Sequence, residues 1–130
     1  MKFRSTVLIS SLALAALAVS AQASADCKYP PAPQKVPDGS KATKQEMLDG
    51  KKDVVAYDAL IVSYTDCLKS EHDAAVAKID PSLDEAKKTK AKNDLDAVWQ
   101  KKNDAAVADD QALAARFNEQ IKAYNAAHKG

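Results

Sequence analysis

Residues 43–68 read TKQEMLDGKKDVVAYDALIVSYTDCL, and the fold follows from their spacing. Thr43-Lys44-Gln45-Glu46 is a capping box: the threonine oxygen takes a free backbone N–H and Glu46 reaches back to the cap. Met47, Val54, Ile61 and Leu68 then recur every seven residues. Tyr57 and Tyr64 fall three residues after Val54 and Ile61, and Gly50 holds the matching place after Met47. This is the a/d seam of a coiled-coil-like helix, narrowed at Gly50 and widened by Leu60 and Cys67. The spacing predicts helix 1 over 43–78, ended by Pro81.

Downstream, Asp80 reads as the N-cap of a second helix over 80–128, with Pro81 at its first position. Acidic residues at its start suit the helix dipole, and Asp84 with Lys88 makes an i,i+4 pair in the favourable order. Nothing between Ser82 and His128 is proline or glycine. Its apolar positions are Leu95, Val98, Trp99, Val107, Leu113, Phe117, Ile121 and Tyr124. Between 101 and 111 the apolar face is mostly alanine, and Asn103-Asp104 could cap a new helix. The expected fold is all-α: an elongated antiparallel helical hairpin. The alternative is a three-helix bundle, with a break near 101–105 and a third helix over about 106–127 folding back. The hairpin is favoured because no turn residue stands at that point.

Upstream, residues 26–42 carry four prolines, which exclude a helix or a central strand and favour an extended path. Asp38-Gly39 is a turn signal. Cys27 and Cys67 are the only cysteines. An even pair in an exported chain reads as a structural disulfide. Closing a loop of that length is worth roughly 4 kcal/mol. Cys67 lies about 36 Å along helix 1 from Thr43, and residues 27–43 reach roughly 50 Å when extended. The proline-rich segment, 24–42, is therefore expected to run back along helix 1 as a strap, with Tyr29 and Val36 covering part of its apolar face.

The first residues have the three parts of a secretory signal peptide: Lys2 and Arg4, an apolar run from Val7 to Val19, and Ala21-Gln22-Ala23. Cleavage is expected after Ala23. The apolar run is about 13 residues, short of the roughly 20 needed to span a bilayer. Asp26 directly before Cys27 argues against lipidation of that cysteine. Removal of 1–23 takes Lys2 and Arg4 with it and leaves 17 basic against 18 acidic residues. Near-neutrality argues against nucleic acid, which asks for a concentrated positive footprint. The mixed charges around Lys87, Lys88, Lys90 and Lys92 argue against a membrane-lying helix, so no stable membrane insertion of the mature chain is expected. The expected location is the periplasm or the medium.

No catalytic set emerges. Ser63 and Ser70 lack partners in sequence. Glu71-His72-Asp73 places adjacent side chains in different directions and reads as a solvated helix end rather than a metal site. Asp104, Asp109 and Asp110 lack a calcium loop. No catalytic residue, metal ligand or cofactor is therefore expected. What remains is a set of surfaces. The first reading has Tyr57 and Tyr64 in the seam with Trp99 packed across them; the alternative places Trp99, Phe117, Ile121 and Tyr124 on an interface with another chain, because a long helix without an internal partner must bury its apolar stripe. A second copy or an envelope protein is the implied partner.

Glu46, Met47, Val54, Tyr57, Tyr64, Cys67 and Leu68, following an early cysteine and a proline-rich segment, resemble an uncharacterised family of small exported, helical, single-disulfide proteobacterial proteins. That resemblance covers about residues 27–71, with a weaker match at Arg116-Phe117-Asn118 and Tyr124. It implies export and a disulfide and carries no activity. A looser likeness is to periplasmic helical-hairpin proteins, including tentacled chaperones, whose trimerising sheet this chain lacks. The expected function is a non-enzymatic structural or protein-interaction component of the periplasm. The alternative is a chaperone-like adaptor or small inhibitor that binds a protein client through the distal helical face.

Overall fold

A computed structural model describes residues 26–129, so the expected signal peptide and its cleavage site lie outside the described residues. Within them the chain is all-helical, with two helices packed on each other and no strand. Helix α1 spans Lys44–Ala77, 34 residues, and helix α2 spans Glu85–Ala127, 43 residues. At 1.5 Å per residue they are about 51 and 65 Å long.

The start of α1 is fixed by the capping box. Glu46 N donates to Thr43 Oγ1 at 3.2 Å, and Thr43 N donates to Glu46 Oε2 at 2.7 Å. Its end closes with Lys78 N bonding to Ala75 O and Ile79 N to Val76 O. The start of α2 differs from the sequence expectation: the N-cap is Asp84, not Asp80, and 80–84 lie outside the helix. Asp84 Oδ1 accepts from Lys87 N at 2.9 Å. Asp80 instead closes a turn of its own. Its Oδ1 accepts from Ser82 N at 2.8 Å, and its carbonyl accepts from Leu83 N at 3.3 Å. A short acidic side chain bonding two residues onward competes with helix capping, and proline suits the second position of such a turn as well as it suits N1. With the cap moved, Asp84 pairs with Lys87 and Glu85 with Lys88. The Asp84–Lys88 pair does not form.

Helix α2 runs unbroken through 101–105, so the hairpin forms and the three-helix alternative does not. The alanine-rich stretch is part of the core: Ala106 and, just beyond the stretch, Leu113 are completely buried. They pack against Tyr57, Ile61, Tyr64 and Leu68, with Val54 and Trp99 at the edge. A second cluster joins Ala42, Met47 and Phe117, bordered by Val36 and Tyr124. The helices run antiparallel. His72 bonds Asp96 beside the turn, and Phe117 lies against Gly50 at the other end.

Residues 26–42 form neither helix nor strand. A disulfide joins Cys27 to Cys67 with the Cα atoms 5.8 Å apart. Tyr29 meets Tyr64 edge-on, ring centroids 5.1 Å apart. The carboxylate of Asp38 accepts from Ser40 N and Oγ, which forms the turn, and Gly39 N donates to Gln120 Oε1 at 3.0 Å. Both glycines here sit at close approaches. A Cβ on Gly50 would lie 2.7 Å from Pro37 Cδ, and one on Gly39 would lie 1.9 Å from the carbonyl oxygen of Gln120.

Candidate functional site

The four residues expected to form an interface do not share one exposed stripe. Phe117 is 5 % exposed, because Gly50 opens a gap in α1 that its ring enters. Trp99 and Tyr124 are half-buried against the two core clusters. Tyr124 also stacks on His128, ring centroids 4.1 Å apart. Ile121 is the most exposed of the four, at 36 %. On α1, Met47, Tyr57, Ile61, Tyr64 and Leu68 are buried and Val54 is half-buried.

The exposed apolar row lies elsewhere. Leu48, Val55 and Val62 are 45, 57 and 52 % exposed. They recur every seven residues, so they form one line along α1. Val55 stands two residues before the buried Tyr57, roughly 200° around the helix. The row therefore faces away from the core. Its sequence signal was present: it shadows Met47, Val54 and Ile61 by one residue.

At the turn end of the hairpin, His72 departs from the expected solvated position. Its side chain is only 15 % exposed, and Nε2 lies 2.6 Å from Asp96 Oδ1 on α2. Nδ1 lies 3.3 Å from Asp73 Oδ1. The Lys92 ammonium, then His72, hold the Asp96 carboxyl below the usual aspartate range. Lys69 and His72 do the same for Asp73. The imidazole also meets the Trp99 indole, centroids 5.5 Å apart. The residue before His72, Glu71, accepts through Oε1 from the backbone N–H of Cys27 at 3.1 Å. Cys27, Cys67 and Glu71 bring potential ligand atoms within 4.8 Å of one another, but both sulfurs are spent in the disulfide.

These contacts border a crevice of about 130 Å³ between the helices. Leu68, Ala75, Leu95 and Val98 supply its apolar wall, and Glu71 and Lys102 flank it with opposite charges. Trp99 lines it, and the buried indole Nε1–H has no hydrogen-bond partner among the described residues.

A third polar group bridges the middle of the hairpin. Tyr29 Oη donates to Asp109 Oδ2 at 2.6 Å. Burial, then that carboxylate, raises the tyrosine hydroxyl's pKa. Beside it, burial and the neighbouring Asp58 push the Asp110 carboxyl upward. The Ser63 hydroxyl is turned to its own helix, donating to Ala59 O at 3.0 Å. The arrangement offers hydrogen bonds and apolar contact. No helix among the described residues is long and apolar enough to cross a membrane. Searches against family models, curated proteins and solved structures each find no match to this chain.

Proposed function

We propose that this chain is an exported, non-enzymatic protein-interaction component of the periplasm, and that the proline-rich segment acts as a strap that keeps the hairpin rigid. The observation that carries the reading is the row Leu48, Val55 and Val62, exposed on the face of α1 opposite the core. A small helical pair with a thin core gains nothing from a regular apolar line left in water, whereas a partner helix can read residues spaced this way. The disulfide and the resemblance to small exported proteins support the compartment. The strap reading rests on the contacts of Cys27, Tyr29 and Gly39, which tie the segment to both helices.

Crosslinked capture of the oxidised protein from its own envelope fraction, read by mass spectrometry, tests this. One dominant partner at stoichiometric yield, lost in Val55→Glu, is the expected result. Equal capture by the native chain and the variant, or capture of nothing, would sink the proposal. Val55→Glu changes an exposed position, so circular dichroism should show both chains equally helical.

A further inference from the structure

We propose that the outer row of α1 docks on the same row of a second copy of this chain, antiparallel about a two-fold axis at Val55. This rests on the reading of that row as an interaction surface and names its partner. Leu48 and Val62 each lie seven residues from Val55. Antiparallel pairing therefore sets Leu48 of one copy against Val62 of the other, and Val55 against itself. The choice of a second copy follows from the charges beside the row. Lys44 and Asp66 stand eleven residues before and after Val55. At 100° per residue both fall within about 20° of the row. Lys51 and Asp58 share one flank of it, at about 40° and 60°. The two-fold axis then brings Lys44 against Asp66 of the second copy. It also brings Lys51 against Asp58, at heights that differ by about 1.5 Å. Each pair occurs twice. All four side chains are exposed, and none has an ion pair within its own chain among the described residues. Neighbouring Lys52 and Lys69 are already paired, with Asp49 and Asp73. Asp58 also lies beside Asp110 of α2, and burial, then that neighbour, raises the Asp110 carboxyl. Lys51 of a second copy supplies the cation that this pair of carboxyls lacks. A parallel pairing would set each charge against its own kind, so the complementarity also fixes the direction.

Sedimentation equilibrium of the oxidised mature chain, at low ionic strength so that the charges are not screened, should show a monomer–dimer equilibrium. Val55→Glu, which sets two carboxylates together at the axis, should abolish it. Lys51→Asp alone and Asp58→Lys alone each create two like-charged pairs in the dimer, and each should weaken association at least about tenfold. An equimolar mixture of these two variants should associate as tightly as the native chain, because each altered side chain then meets its opposite charge. The changed positions are exposed, so circular dichroism should show every chain equally helical. Carbodiimide coupling in a mixture of nitrogen-15-labelled and unlabelled native chains requires no substitution. It should join Lys51 of one chain to Asp58 of another. A monomer at every concentration would overturn the second copy. If Val55→Glu then still abolished capture from the envelope, the row would stand as a surface for a different protein. A dimer that survives Val55→Glu, a mixture no tighter than its components, or a dimer without the Lys51–Asp58 product would overturn this arrangement.

Discussion

Gly39 shows how much can depend on one missing methyl group. Its N–H bonds the Gln120 side chain, and any Cβ there would overlap the Gln120 backbone carbonyl at 1.9 Å. A helix backbone cannot yield as a side-chain tip can. Gly39→Ala should therefore cost about 2–3 kcal/mol, in the range of overpacked sites, read as a lower urea midpoint. An unchanged midpoint would show that residues 36–42 contribute nothing to stability. Asp110 makes the opposite case. Burial first and Asp58 second raise its carboxyl above the ordinary 3.8, so the folded chain holds that proton more tightly than the unfolded chain does. Its favourable contribution is complete below pH 3.8 and is lost as pH rises through the raised value. Asp110→Asn should accordingly stabilise the protein at pH 7 and have no effect near pH 3, read as urea midpoints at the two pH values. Equal midpoint shifts at both pH values would mean that shape, not charge, sets the cost.

At the scale of the helix, the two candidate caps can be separated. Asp84 caps α2 through Lys87 N, while Asp80 closes the preceding turn through Ser82 N. Asp84→Ala should cost about 1 kcal/mol, and Asp80→Ala about half as much, because water reaches the turn it leaves. A larger loss from Asp80→Ala would place the start of α2 earlier. The alanine-rich middle of α2 seemed weak in sequence because small side chains carry little hydropathy. In the hairpin the same smallness lets the helices approach until Ala106 and Leu113 lose all contact with water. Leu113→Ala should therefore remove about 3 kcal/mol, far more than the exposed Val107→Ala, in thermal or urea unfolding. Helix existence, the α1 cap and the continuity of α2 were legible because they rest on local bonds and on the absence of proline and glycine. The start of α2 was not, since capping and turn closure by aspartate use the same carboxylate oxygens and differ only in which backbone N–H groups lie nearby.

For the whole molecule, the disulfide and the segment it anchors matter most. The bridge spans a sequence separation of 40 residues. Replacing both cysteines by serine should cost about 4 kcal/mol on the chain-entropy argument and lower the melting temperature markedly. A negligible shift would show that the proline-rich segment holds its place by packing alone. By itself the sequence determined two long helices, an extended proline-rich segment, a cysteine pair and a seven-residue seam, because each rests on local spacing and covalent chemistry. Two apolar rows run side by side along α1, Met47-Val54-Ile61-Leu68 and Leu48-Val55-Val62, with the same period. The first alone has aromatic partners three residues on, Tyr57 and Tyr64, where the second has Asp58 and Thr65, so the spacing marks the first as the seam. Only the tertiary structure decided what that seam docks against, by fitting Phe117 into the gap at Gly50 and laying Ala106 and Leu113 against Tyr57 and Ile61. That docking buries the first row and leaves the second in water. It also takes Phe117 out of the expected interface and encloses the Trp99 indole without an acceptor, since burial depends on which surfaces meet and not on the order of residues along either one.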